Sequence, residues 1–492
     1  LIFVNYRDIR DLNPHLYAGE MYAQSILYDT LVSNTEDGYV GCLAEDWTIS
    51  DDGRIYTFNI RDGVTFSDGT PCDANAILAN FNAILENRER HTWLEMMNLL
   101  VSVSAPDSDT FVIEMSEPYY PMLTELACIR PFAMISPNCM IDGSTMNGVN
   151  GYIGTGPYVL TDFVTDEYAV FERNEKFIGG EAPAIQKITV KVIPDNQTRI
   201  MALENEEIDL IFGKNMLDAD AISQYVDSDR FTVSLSDPTS TRHIVLNTTH
   251  DILGDVAVRK ALQHATNRQA ISEGIFYGLE PAADTLYSPT VPYCDVDLEP
   301  YAYDTDEAAR LLDEAGWVMG SDGVRAKNGQ KLELDLLYNS DSVTEKTISE
   351  YLQSEYLKLG ISLNIHGEEE QSYRDNMKAG NFDMVFNICW GMPYDPQSSL
   401  AAMRAPVYGD YAAQQGLEDK AEIDQAITDI LTSTDETERQ ELYDFVLTRL
   451  HEDAVYIPLT YETNKALYTS ELKGVHFGTD QYDVDFASMY FE

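Results

Sequence analysis

Between Cys42 and Pro71 (CLAEDWTISDDGRIYTFNIRDGVTFSDGTP) apolar and polar positions alternate in short runs, broken at Asp52-Gly53, Asp62-Gly63 and Asp68-Gly69. Alternation with a period of two marks strands with one buried face, and Asp-Gly pairs supply the positive φ of tight turns. A hairpin-rich segment is predicted. The rhythm then changes: in DANAILANFNAILENRER, Ile77, Leu78, Phe81, Ile84 and Leu85 fall at helical spacing behind Asp73, a residue suited to capping. This predicts a helix with one buried face.

Further along, KLELDLLYN (331–339), VTEKTISEYLQSEYLKLG (343–360), ISLNIHG (361–367) and DMVFNICWG (383–391) read as strand, helix, strand, strand. That order implies an α/β lobe with a partly parallel sheet. Ligands of such sheets gather beyond the carboxyl ends of the strands, where the last strand delivers Trp390 and the loop WGMPYDP. The chain carries no internal repeat, low-complexity tract or Pro/Ser-rich linker, so a hinge of crossing strands is expected between domains.

Composition narrows the class. At 492 residues the chain exceeds one compact core and has room for two or three domains, and 44% apolar residues mark a globular protein. Asp and Glu number 83 against 32 Lys and Arg, a net charge of −51. Nucleic acid and anionic lipid would be repelled by such a chain. A solvated acidic surface suited to high salt is the plainer reading of this charge, and a cation-collecting surface the alternative. No apolar stretch approaches the roughly 18 residues of a membrane span. The opening LIFVNYRD lacks a charged leader or apolar signal core, which suggests numbering from a processed or trimmed start. Six cysteines (Cys42, Cys72, Cys128, Cys139, Cys294, Cys389) show no CxxC or zinc spacing, so unpaired buried thiols are expected, a Cys128–Cys139 bridge being the one conceivable exception.

Catalytic signatures are absent: no HExxH, GxSxG, GxxxxGK[ST], or GxGxxG after a strand. Gly154 to Tyr158 (GTGPY) imitates a phosphate cradle, but Pro157 removes a backbone donor where phosphate would need one. The eight histidines (15, 91, 243, 250, 264, 366, 451, 476) are dispersed without an i, i+4 pair, which favours structural roles.

Against that background a set of collinear segments stands out: LAEDWTISDDGRIYTFNIRDGVTFSDGTP, GTGPYVL, FERNEKF, PAIQKITVKVIPDNQTRIMALENEEIDL, AVRKALQHATNRQAI and YDTDEAARLLDEAGW. Together they resemble the peptide/nickel class of ABC solute-binding proteins over essentially the whole chain. DLNPHLYAGEMYAQSILYDTLV, ENRERHTWLE, EMSEPYYPMLTELACIRPF, WGMPYDP, QQGLEDKAEID and RLHEDAVYIPLTY are similar to its nickel-binding members in particular. The resemblance implies an α/β, bilobed periplasmic-binding-protein fold, type II-like and class C, with an extra subdomain in lobe one and a two-strand hinge. Lobe one would take 1–238 plus 462–492, with 39–155 as the inserted subdomain, and lobe two 239–461.

The same resemblance implies a function: the extracytoplasmic solute-binding subunit of an ABC importer, periplasmic or lipid-anchored, monomeric, and partnered by a permease and its ATPase. The ligand would be Ni(II) held in a small-molecule chelate, such as nickel with free histidine, in the interlobe cleft. Arg130 matches the arginine that meets the chelate's carboxylates, a task suited to a guanidinium fork. Trp93 and Trp390 match the indoles lining the pocket, and Tyr17, Met21, Tyr373 and Tyr394 other wall residues. One departure stands out: where a nickel-ligating histidine is expected in the loop after WGMPYDP, this chain has Tyr408. A phenol is a poor nickel ligand at neutral pH. The chelate would then saturate its own metal, with Tyr408 as a wall, or His476 in KGVHFGTDQY would supply the nitrogen. Tyr482 aligns where a threonine is expected in that segment. Rival readings are a di- or oligopeptide binder of the same class, a ligand-sensing receptor partner, and a hydrolase.

Overall fold

A computed structural model describes residues 1–35, 38–213, 216–389, 396–478, 482 and 484–492. Two compact units emerge: Leu1–Ser236 with Asn464–Glu492, and Asp237–Thr463. The chain passes between them within the strands Phe231–Leu246 and Tyr456–Thr469.

In the first unit Ile2–Asn5 is central, parallel to both Lys187–Val192 and Leu210–Phe212, with Phe3 opposite Val190 and Leu210. The antiparallel strands Tyr168–Arg173 and Tyr158–Val164 extend the sheet on one side, and Ala466 to Tyr468 pair with Leu210–Phe212 on the other. The strand IFVN sends Phe3 into a core where its ring meets Tyr22 at 5.1 Å and Phe486 at 5.2 Å.

The Asp-Gly region forms the antiparallel strands Ala44–Ile49 and Ile55–Ile60, continued by Thr110–Met115 and Leu100–Ser104. Gly53 takes φ +70°, a left-handed conformation that explains glycine in the hairpin turn. Behind this sheet lies the helix Ala74–Glu86, where the Asp73 side chain accepts from the backbone N–H groups of Asn75 and Ala76. Ile77, Phe81 and Ile84 are its buried face, with the Phe81 ring tilted against that of Phe111 at 4.8 Å.

GTGPY serves packing. A Cβ on Gly154 would lie 2.0 Å from the Leu27 carbonyl oxygen, and Gly156 donates its N–H to that same oxygen at 3.0 Å. The glycines let two backbones touch.

In the second unit Glu333–Asn339 pairs in parallel with Ser362–Glu368 and with Met384–Cys389, which in turn lies antiparallel to Phe231–Leu246. The helix Val343–Lys358, capped by Ser342, crosses between the first two strands. One element departs from the sequence expectation. A further helix, Glu370–Ala379, stands between Ser362–Glu368 and Met384–Cys389, where strand was expected to follow strand. Parallel strands need such a crossover. Its sequence EQSYRDNMKA buries only Tyr373 and Met377, too little apolar periodicity to announce a helix. All six cysteines are free thiols. No helix among the described residues is long and apolar enough to cross a membrane.

Candidate functional site

Arg130 stands in the short turn Ile129–Phe132, with an extended backbone at its own position. Its side chain is directed inward, leaving the residue 8% exposed. Nε donates to Gln24 Oε1 at 2.6 Å, and Nη2 donates to the carbonyl of Gly19. Gln24 is fully buried and spends its Nε2 on the Asn13 carbonyl at 3.1 Å, which aims Oε1 at the arginine. A Cβ on Gly19 would lie 2.4 Å from the Asp11 carbonyl oxygen, so only glycine brings this carbonyl to Arg130.

Arg130 makes no ion pair among the described residues, and its bonds to Gln24 and Gly19 leave Nη1 unused. Burial lowers its pKa, opposed first by the Glu20 carboxylate and then by Tyr17. Glu20 is itself held by Asn5 Nδ2 at 3.1 Å and Arg7 Nε at 2.5 Å. The guanidinium is therefore anchored by neutral oxygens. Its charge remains largely available to an anion.

Beside it Tyr17, half-buried, accepts a hydrogen bond from Trp93 Nε1 at 2.8 Å and lies 2.6 Å from Nδ1 of buried His91. The Tyr17 and Trp93 rings meet edge to face at 6.2 Å, and the Arg90 guanidinium lies 6.0 Å from the Tyr17 ring centroid. Burial pushes the Tyr17 phenol up to about 12, against the bond from Trp93 and the charges of Arg130 and Arg90. Burial, reinforced by Arg90, lowers His91 to about 4, so this imidazole is neutral at pH 7. Trp93 is 43% exposed, and half-buried Met21 opens the helix Met21–Ser25.

Tyr482 and His476 belong to this same unit, and both are exposed. His476 Nδ1 lies 3.1 Å from the Gly474 carbonyl, and Nε2 lies 3.0 Å from the Asp485 carboxylate. To ligate a metal, either nitrogen would have to leave its partner. Tyr373 and Tyr408 belong to the second unit. Tyr373 is buried and donates its hydroxyl to the Phe386 carbonyl. Tyr408 immediately precedes the short helix Gly409–Ala413, half-buried, with its phenol pKa raised by burial. Two residues on, buried Asp410 accepts from Asn387 Nδ2 at 2.8 Å, and burial pushes its carboxyl up to about 6. Trp390 and Tyr394, with the loop WGMPYDP, lie outside the described residues. No group of three or more His, Cys, Asp or Glu among the described residues could hold a metal ion.

Sequence reading missed Gln24, Gly19 and the specific place of His91. Their partners lie 106, 111 and 74 residues away, so no local spacing signals them.

The profile of the bacterial extracellular solute-binding proteins, family 5, matches residues 38–410. The chain belongs to this family. Among family 5 relatives, the nickel-binding periplasmic protein of Escherichia coli is 41% identical over 97% of this chain and 92% of its own length. The solved structure of NikA from Brucella suis, in complex with Fe(III)-EDTA, superposes with a TM-score of 0.96 at 43% identity, covering 100% of this chain and 99% of that one. The periplasmic oligopeptide-binding protein OppA of Salmonella typhimurium is 25% identical over 98% of this chain and 90% of its own length. The expected periplasmic-binding-protein fold is thus the one this family 5 chain adopts.

Proposed function

We propose that this protein captures a nickel chelate outside the cytoplasmic membrane and delivers it to an ABC permease driven by an ATPase, without covalent chemistry. The observation that carries this reading is Arg130: a buried guanidinium held by Gln24 Oε1 and the Gly19 carbonyl, with no carboxylate among the described residues paired to it. Such a group suits the carboxylates of a metal-carrying small molecule. Likeness to a nickel-binding periplasmic protein, and to a relative solved with a metal in a polycarboxylate chelate, supports the same ligand class.

Because Tyr408 stands where an imidazole was expected, the metal's donors belong on the chelate itself, with Tyr17, Met21 and Trp93 as walls in the unit that holds Arg130. His476 is the remaining candidate for a direct protein ligand. Mass spectrometry of ligand that co-purifies with the protein tests the proposal. A nickel complex of a carboxylate-bearing small molecule is expected; a di- or oligopeptide would transfer the site to the peptide-binding branch represented by OppA.

A further inference from the structure

Beside Arg130, a polar line runs through three rings. Trp93 Nε1 lies 2.8 Å from Tyr17 Oη, which lies 2.6 Å from His91 Nδ1. His91 is fully buried, and its Nε2 finds no hydrogen-bond partner among the described residues. An indole N–H can only donate, so the Tyr17 oxygen accepts from Trp93. The bond to His91 has two directions available, set by the imidazole tautomer. A phenol is the better donor and a neutral imidazole nitrogen the better acceptor. A hydroxyl that accepts one bond is also polarised to donate its own proton more strongly. Both effects send the Tyr17 proton to His91.

We propose that His91 is a positioning residue that accepts the hydrogen bond of the Tyr17 hydroxyl on Nδ1, leaving the Tyr17 oxygen able to meet a ligand only as an acceptor. This deepens, and rests on, the reading of the Arg130 corner as the ligand grip. The corner then has two polarities. Arg130 donates to a carboxylate, while Tyr17 accepts from an N–H. A chelator bearing both groups, as an α-amino acid or an imidazole-containing amino acid does, satisfies both; a polycarboxylate without N–H leaves Tyr17 unmatched. The selected ligand class is therefore metal held by amino-acid donors. The direction is stable at neutral pH because burial keeps His91 uncharged, and Arg90, beside it in sequence, opposes a second positive charge.

The first test needs no ligand. In 15N-labelled wild-type protein at pH 7, long-range proton–nitrogen spectra, with the His91 signals assigned by their loss in His91→Asn, are expected to show the proton on Nε2. A proton on Nδ1 overturns the proposal. The second test is calorimetry with nickel(II) and excess L-histidine, with nickel(II) alone as control. His91→Leu is expected to bind about tenfold more weakly. His91→Asn, whose side-chain oxygen can take the same proton, is expected to stay within about threefold of wild type. Equal losses in both variants, or none in either, overturn it. Should wild-type protein ignore nickel-histidine, the ligand reading fails, and the tautomer alone then decides the role of His91.

Discussion

Two arginines, buried Arg130 in the first unit and half-buried Arg242 in the second, are treated in opposite ways. Arg242 is bonded to the Glu462 carboxylate and lies 3.8 Å from that of Glu280, with its guanidinium 5.3 Å from the Phe276 ring centroid. Ser240 and Thr460 donate to the same two carboxylates. Among the described residues Arg130 hydrogen-bonds to the neutral oxygens of Gln24 and Gly19 and to no carboxylate. Burial lowers the pKa of both. At Arg242 the carboxylates outweigh it and the net shift is upward; at Arg130 burial prevails. An arginine answered by the protein's own acids is part of the scaffold. Arg199 and Arg268 are also held by neutral oxygens, but through every nitrogen of the guanidinium, whereas the bonds from Arg130 to Gln24 and Gly19 use Nε and Nη2 and leave Nη1 for an anion.

The largest effect that would break this contrast is on stability. Arg242→Ala leaves Glu462 and Glu280 buried without their cation, and is expected to cost about 3–5 kcal/mol in urea unfolding. A loss no greater than that of Arg130→Ala would erase the distinction.

Asp410 supplies the acidic counterpart of Arg130, a buried carboxyl whose partners include the neutral Asn387 amide. Its pKa is pushed up to about 6 by burial. Because the folded carboxyl holds its proton more tightly than the unfolded one, its stabilisation is fully present below about pH 4 and is lost as pH rises through about 6, on the order of 3 kcal/mol in total. Unfolding measured between pH 4 and 7 should show this slope in the wild type and lack it in Asp410→Asn.

Binding gives the next step down. Arg130→Ala should weaken nickel-chelate affinity at least about tenfold, or 1.4 kcal/mol, in calorimetry; unchanged affinity would return Arg130 to the scaffold. The smallest effect belongs to Glu20, the acid that most opposes the lowering of Arg130's pKa. Glu20→Gln should raise affinity for an anionic chelate about two- to threefold at low salt and less at high salt.

Local features were legible from sequence where their cause is local. Asp73 caps the helix it precedes, and the Asp-Gly pair at Asp52-Gly53 turns the hairpin it sits in, because both act through backbone groups within three residues. The helix Glu370–Ala379 escaped because only Tyr373 and Met377 face inward from it, so its evidence is the crossover it must make. GTGPY was readable as a poor phosphate cradle, but its actual task, contact with the Leu27 backbone 127 residues earlier in the case of Gly154, was not. Family membership was legible because its motifs recur in order along the chain.

By itself, then, the sequence determined the family, the α/β class, the turns and caps, and which residue types are available to grip an anionic chelate. Only the tertiary structure decided which arginine is paired with the protein's own carboxylates, and that His91 lies within hydrogen-bonding reach of the Tyr17 hydroxyl. The reason is distance along the chain. Gln24 reaches Arg130 across 106 residues and Glu462 reaches Arg242 across 220, so the charge state of each site is a property of packing that no local pattern encodes.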